Sequence, residues 1–312
     1  MADIILHHYP ASPFAEKIRL ILGYKKLAWR SVLIPAVMPK PDLTSLTGGY
    51  RRTPVLQIGA DIYCDTAIIC DVLERLAPEP SLFPAKTLGL NQCLAQWADT
   101  DLFWAVVTYA FQPAGQQAIF SQMSQEQAAA FAEDRAKMRG NAPAMSLAEA
   151  KASLHSYLLR LEQILAAEQP YLLGDVPCLA DFSCYHPIWF IQNIPTINGV
   201  LQQFPQILDW LARMQAIGHH HFEKMKSAEA LQVAHDAQPS VTNGKDCALL
   251  GIKIGDQVRI NASDYGSDVV EGELVDVSLN HLAVRRSDER VGEVVVYFPR
   301  IGFCIKKTKN NQ

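Results

Sequence analysis

Three successive periods in the hydrophobic pattern predict an α/β unit, then an all-helical unit, then a small all-β unit. In the first stretch the apolar run Ile4-Ile5-Leu6 reads as a strand, and Phe14, Ile18, Leu20, Ile21 and Leu22 fall near helical spacing. From about residue 88 to residue 231 the chain is rich in Ala and Leu with helical periodicity, and it carries every tryptophan except Trp29. That composition fits a helical domain docked on the first. Residues 235–244 read as a linker, after which the period drops to two. The domains expected are 1–85, 88–232 and 245–312. A length of 312 residues with 49% hydrophobic content exceeds one typical domain and supports a sizeable core.

The first unit carries the chemistry. In Arg51-Arg52-Thr53-Pro54-Val55-Leu56, Pro54 interrupts what otherwise reads as a strand. Proline cannot donate to a sheet ladder, so it belongs at a strand's first residue, on an edge or in a cis turn. A turn there leaves the N–H and C=O of Thr53 free to pair with an extended peptide. Downstream, Asp65-Thr66 opens the apolar run Ala67-Ile68-Ile69 and places a carboxylate and a hydroxyl at a helix N-terminus. Upstream, Pro13 suits a first helical position, which makes Ser12 the N-cap. Together these residues describe a small peptide-binding site.

With these motifs in place, the first ~85 residues resemble the thioredoxin-like domain of the cytosolic glutathione transferases, and the helical stretch to about residue 232 resembles that family's all-α domain. Ser12-Pro13-Phe14 is similar to the Ser-Pro-Phe of the tau class and the Cys-Pro-Phe of the omega class. The family's cis-proline falls on Thr53-Pro54, and its acidic-hydroxyl pair, usually Glu-Ser, falls on Asp65-Thr66. The resemblance implies a thioredoxin-like domain followed by an all-helical domain, with glutathione as cosubstrate and a two-fold homodimer as the assembly.

Physical chemistry supports each role that the resemblance implies. A free cysteine thiol has a pKa of roughly 8.5, and a hydroxyl donor together with a helix N-terminus lowers it. Ser12 therefore serves as the catalytic hydroxyl that donates to the glutathione sulfur, with the nucleophile on the cosubstrate. Cysteine at this position would favour thiol exchange, whereas serine favours addition or substitution on an electrophile. Thr53 holds the cysteinyl unit through its backbone, in the geometry Pro54 imposes. Asp65 accepts from the γ-glutamyl amine, and Thr66 donates to that unit's carboxylate, helped by the helix dipole. Phe14 completes the glutathione-binding motif. The glycyl carboxylate needs a cation, and Lys40, Arg51 and Arg52 are the candidates. The tau class has a lysine where Arg52 stands, and Lys40 lies in the stiff loop Pro39-Lys40-Pro41.

Tyr9 is the rival hydroxyl, because other classes of the family place a tyrosine just after the first strand. The electrophile pocket of the family lies between the two domains, which makes Tyr9, Asp101, Trp104, Thr108, Tyr109 and Phe111 candidates. His7 and His8 alternate along a strand, so one is expected to face in and one out, and neither is assigned a role. Leu172-Leu173-Gly174 with Leu179-Ala180-Asp181-Phe182 resembles the family's cap before its central helix. There Cys178 stands in place of the usual Ser or Thr, a weak acceptor, while Asp181 can still reach back.

Charge and cysteine usage bound the function. Residues 1–60 hold eight Lys or Arg against three Asp or Glu, while the whole chain is net −4, so the basic bias is local to the expected anion site. No dense basic stretch interleaved with aromatics points to nucleic acid. Seven widely spaced cysteines without CxxC pairs suggest reduced thiols in the cytosol, and Cys64 reads as buried packing. His219-His220-His221 reads as an exposed helix end, since consecutive helical positions diverge, and no metal is expected. No apolar run reaches the ~20 residues of a membrane span and no leader opens the chain, so a cytoplasmic protein without membrane partners is expected.

The tail lies outside the resemblance. Segments 257–261, 269–277, 281–286, 293–298 and 301–306 read as five short strands, which suggest a small SH3-like barrel acting as an interaction or pocket-covering module. The function implied is activation of glutathione for conjugation to a hydrophobic electrophile. Isomerisation or peroxide reduction by the same thiolate, and a non-catalytic binding protein that delivers the barrel to a partner, are the alternatives.

Overall fold

A computed structural model describes residues 3–140, 144–167, 169–240 and 251–308. The N-terminal domain runs β1 (Ile5–His8), α1 (Pro13–Tyr24), β2 (Trp29–Leu33), α2 (Pro41–Thr47), β3 (Val55–Ile58), β4 (Asp61–Cys64) and α3 (Thr66–Leu76). β1 pairs parallel with β2 and antiparallel with β3, which pairs antiparallel with β4, giving a thioredoxin-like sheet. Ser12 caps α1 through its side chain, with Pro13 at the first helical position. Later in α1, a Cβ on Gly23 would lie 1.9 Å from the Gly218 carbonyl oxygen, so only glycine lets that later segment close on the helix.

The helical domain contains α4 (Leu88–Trp97), α5 (Phe103–Ala110), α6 (Pro113–Ile119), α7 (Gln125–Arg139), α8 (Leu147–Leu165), α9 (Leu179–Gln192) and α10 (Pro205–Gln215). A π-helical segment, Ala98–Leu102, joins α4 to α5. Leu154, Leu158, Leu161 and Leu165 recur at spacings of three and four, so α8 buries one stripe against the core. Asp181 secures the start of α9. Its carboxylate accepts from the Cys178 and Leu172 N–H groups at 3.0 and 2.9 Å, and from the Trp210 indole at 2.9 Å. The Cys178 thiol donates to the same carboxylate at 3.4 Å, so the reach-back half of the cap is present and the cysteine joins it as a donor.

The chain then returns to the first domain. β5 (Phe222–Met225) adds to β2 in parallel, and α11 (Ser227–Asp236) follows it. Two expectations are corrected here. His219-His220-His221 lie between α10 and β5 and are not a helix end, because β5 continues the sheet and draws this connection along it; the Trp29 N–H donates to the His221 carbonyl at 3.2 Å. His235 and Asp236, read as linker, end α11, which packs its small face of Ala230, Leu231 and Ala234 into the core. Residues 241–244 of that expected linker lie outside the described residues. His7 and His8 are a third correction: both are buried, since helices cover both faces of the sheet. Burial lowers their pKa values to about 4 and about 3, and they bond to Gln57 and Ser31 respectively.

The tail forms a small β domain of β6 (Gln257–Ala262), β7 (Val270–Val277), β8 (His281–Asp288), β9 (Gly292–Pro299) and β10 (Phe303–Lys307). It is an antiparallel meander in which β10 returns to pair with β6. β9 also pairs in parallel with β4, so one sheet of ten strands runs β10-β6-β7-β8-β9-β4-β3-β1-β2-β5. Tyr63 and Tyr297 stack at 4.8 Å over that seam, and Asp61 accepts from the Ser240 N–H at 3.2 Å. The edge of β4 is thereby covered by a strand of the same chain.

Candidate functional site

The three sequence motifs meet at the ends of α1, β3 and α3. Ser12 is 2% exposed, and its Oγ accepts from the Ala15 N–H at 3.2 Å. Because the oxygen is occupied as an acceptor at the positive end of a helix, the hydroxyl proton is left to donate. Thr53-Pro54 is a cis peptide bond. Among the described residues nothing pairs with the backbone N–H or C=O of Thr53, since β3 begins only at Val55.

Asp65 caps α3 by accepting from the Ala67 N–H at 3.0 Å, and it does so at φ +91°. A non-glycine residue held in that region is a constrained position of the kind found at ligand sites. Burial raises its pKa, with the Arg52 guanidinium opposing. Thr66 is buried at the first position of α3, and its Oγ1 accepts from the Lys17 ammonium at 3.3 Å.

Lys17 is the first of several residues that the sequence did not reveal. It is 1% exposed and pairs with Asp99 of the π-helical segment at 2.6 Å. Burial opposes its charge, but the acidic groups around it, Asp99 first and then Cys70 and Asp65, together hold the ammonium pKa up, while Lys17 holds the Asp99 carboxylate down. His186 of α9 reaches the other Asp99 oxygen at 3.0 Å. Phe14 lies against Phe103 and His186, with ring centroids at 4.6 and 4.5 Å, so its ring serves the junction between α1 and the helical domain.

The three candidate cations separate clearly. Arg51 pairs with Asp134 of α7, and Arg52 pairs with Asp264 of the β6–β7 connection. Lys40 is buried and donates to two neutral oxygens, the Arg51 carbonyl at 3.1 Å and the Thr53 hydroxyl at 3.3 Å. Among the described residues no carboxylate pairs with it. Burial first, and then Arg135, lower its pKa to about 8. A buried ammonium beside the free backbone of Thr53 is a ready partner for a carboxylate.

The pocket candidates divide likewise. Tyr9 is half-buried, its hydroxyl 3.5 Å from the Arg135 guanidinium and its ring 5.9 Å from the Lys40 ammonium. Trp104 meets the edge of Tyr265 at 5.0 Å. Asp101 is exposed and Thr108 half-buried. Tyr109 and Phe111 pack instead with Ile194 and Ile197, where the Tyr109 hydroxyl donates to the Ile197 carbonyl at 3.3 Å. Nothing in the period of α5 distinguishes Trp104 from these two. Asp264 and Tyr265 were hidden because Ser263-Asp264-Tyr265-Gly266 has the composition of an ordinary hairpin turn. Among the described residues no group of His, Cys, Asp and Glu is placed to hold a metal, and no helix is long and apolar enough to cross a membrane.

A thioredoxin-like domain joined to a helical domain, with a helix-capping serine and a cis-proline before the third strand, defines a two-domain class of α/β-plus-helical proteins. Comparison makes the class specific. Residues 6–81 match the glutathione S-transferase N-terminal domain, and residues 124–219 match the glutathione S-transferase C-terminal domain. The crystal structure of a GST-like protein from Pseudomonas syringae is 39% identical, with a TM-score of 0.83 over 99% of this chain and 100% of that one. The chain belongs to the glutathione S-transferase family. More distant structures share the fold. The beta-etherase LigF from Sphingobium is 21% identical with a TM-score of 0.53, over 68% of this chain and 95% of that one. A glutathione S-transferase from Methylobacillus flagellatus with glutathione bound is 15% identical with a TM-score of 0.51, over 69% and 99%. No curated protein sequence matches this chain.

Proposed function

We propose that this protein is a glutathione transferase that activates the glutathione thiol with Ser12 and adds it to a hydrophobic electrophile. The observation that carries the reading is the convergence of the Ser12 hydroxyl, the unpaired Thr53 backbone and the Asp65-Thr66 helix start with one buried, carboxylate-free ammonium, Lys40. In this reading the cysteinyl unit pairs with Thr53 as an added strand. The γ-glutamyl amine meets Asp65, its carboxylate meets Thr66 and the N-terminus of α3, and the glycyl carboxylate meets Lys40. Ser12 donates to the sulfur, and the α1 dipole adds to the stabilisation of the thiolate. Trp104 and Tyr9 offer aromatic surface on the electrophile's side. A thiolate so held attacks without a protein nucleophile: in substitution the C–S bond forms as the leaving group departs with its bonding pair, and in addition the electron pair displaced onto the electrophile takes up a proton from water.

Titration of glutathione into wild type and Ser12→Ala, followed by thiolate absorbance in the ultraviolet, tests this. Wild type is expected to bind and ionise the thiol. The alanine variant is expected to bind with similar affinity and lose most of the thiolate signal at pH 7. Equal ionisation in both would move the role to Tyr9 or to the helix terminus, and absence of binding in wild type would end the reading.

A further inference from the structure

The β6–β7 connection of the C-terminal β domain meets Arg52, the residue before the cis Thr53-Pro54 bond. Arg52, 9% exposed, donates through one Nη both to the Asp264 carboxylate and to the Tyr265 carbonyl. Its guanidinium lies 3.9 Å from the centre of the Tyr265 ring, which also meets the Trp104 indole. The Gly266 N–H donates to the Met138 carbonyl near the end of α7 at 2.6 Å. Gly266 sits at φ +52°, where a Cβ would lie 3.3 Å from the Arg52 Nε and 3.4 Å from Met138. The turn is therefore anchored on three sides, by β3's approach, by α5 and by α7, as a wall is and a loose strap is not.

We propose that this turn sets the charge selectivity of the site: Asp264, at the solvent edge, pairs with the buried Arg52 guanidinium, so the carboxylate at the glycyl end of the ligand is read by Lys40. The inference rests on the glutathione reading above. A guanidinium already neutralised by a carboxylate, and covered on its face by Tyr265, offers a second carboxylate little net attraction. The Lys40 ammonium donates to neutral oxygens, and Asp134 acts on it only at longer range. The wall thus admits a thiol peptide with one carboxylate at this end. Burial keeps the Tyr265 phenol neutral, its pKa pushed up to about 12, so the wall adds no second negative charge. Asp264 acts through Arg52 and is a positioning residue.

The test compares S-hexylglutathione with its glycyl ethyl ester by calorimetric titration of wild type and Asp264→Asn. Freeing Arg52 should tighten the acid about tenfold, the scale of one added charge-assisted hydrogen bond, and leave the ester unchanged. The acid-to-ester ratio is a readout that a merely structural role would not move. Asp264→Ser carries the same expectation should the asparagine variant fail to fold. Unchanged or weaker binding of the acid overturns the proposal while wild-type binding keeps the glutathione reading. Equal tightening of acid and ester also overturns it, since the turn would then be a steric plug. If wild type binds neither ligand, the glutathione reading fails and this inference with it.

Discussion

The N-terminal domain is joined to the helical domain and to the β domain by two different kinds of junction. Toward the helices, the contact concentrates charge: the buried Lys17 and His186 flank a largely covered Asp99 behind Thr66, with Phe14 and Phe103 packed on the chain. Toward the β domain, the contact is a backbone ladder between β4 and β9, a stacked tyrosine pair, a shared apolar cluster in which Tyr50 meets Phe298 and Phe303, and ion pairs at the rim. A desolvated pair cannot lose one partner without leaving the other charged in low dielectric. A ladder spreads its stabilisation over many small terms. The first junction should therefore answer to single substitutions in stability, and the second in ligand selectivity.

The largest effect expected is on the buried chain. Lys17→Met keeps the length of the side chain and removes its charge, leaving Asp99 with the Ser183 hydroxyl and a neutral imidazole whose other nitrogen, Nδ1, has no partner among the described residues. Urea unfolding should show a loss of about 3 kcal/mol, the scale of a buried pair broken on one side. A loss below about 1 kcal/mol would place this pair with ordinary surface salt bridges and erase the contrast between the junctions.

That contrast also explains what the sequence disclosed. Ser12-Pro13, Thr53-Pro54 and Asp65-Thr66 were legible because caps and prolines act locally, through the geometry of two or three residues. Lys17 was not, because a lysine in a helix ordinarily reads as solvated, and its partner lies in a π-helical segment 82 residues away. The five tail strands were legible from their two-residue period, but their attachment to β4 was not. Pairing between β4 and β9 joins residues more than two hundred positions apart, and periodicity carries no information about which edge a strand will choose. The same distance hid Asp264 and Tyr265 from any reading of the site.

Lys40 sharpens the comparison by pH. Its pKa of about 8 in the folded protein, below the ordinary lysine value near 10.5, means that the ammonium loses its proton above about pH 8. Between these two values the folded state binds fewer protons at Lys40 than the unfolded chain, so this residue's contribution to stability rises with pH. Ligand binding has the opposite sign, because a glycyl carboxylate needs the proton. S-methylglutathione, which has no thiol to titrate, should bind wild type about 10- to 100-fold less tightly once Lys40 is neutral, the range for a lost hydrogen bond to a charged group. In Lys40→Arg the guanidinium stays charged, and the fall should move to higher pH. A coincident fall in both proteins would assign the titration to the ligand's own amine.

The smallest effect belongs to the rim of the second junction. Arg290 of the β8–β9 turn pairs with Asp42 of α2 at 2.6 Å, with both side chains more than a third exposed. Water and salt screen such a pair, and holding two long side chains in one geometry costs entropy. Arg290→Ala should change unfolding free energy by about 0.5 kcal/mol or less. Because Arg290 and Asp42 touch neither Arg52, which is buried under Tyr265, nor its partner Asp264, the same variant should leave the acid-to-ester preference of the site untouched. A loss of several kcal/mol on removing Arg290 would mean that the β domain is held by its charges, and that the ladder from β9 to β4 forms only once those charges have met.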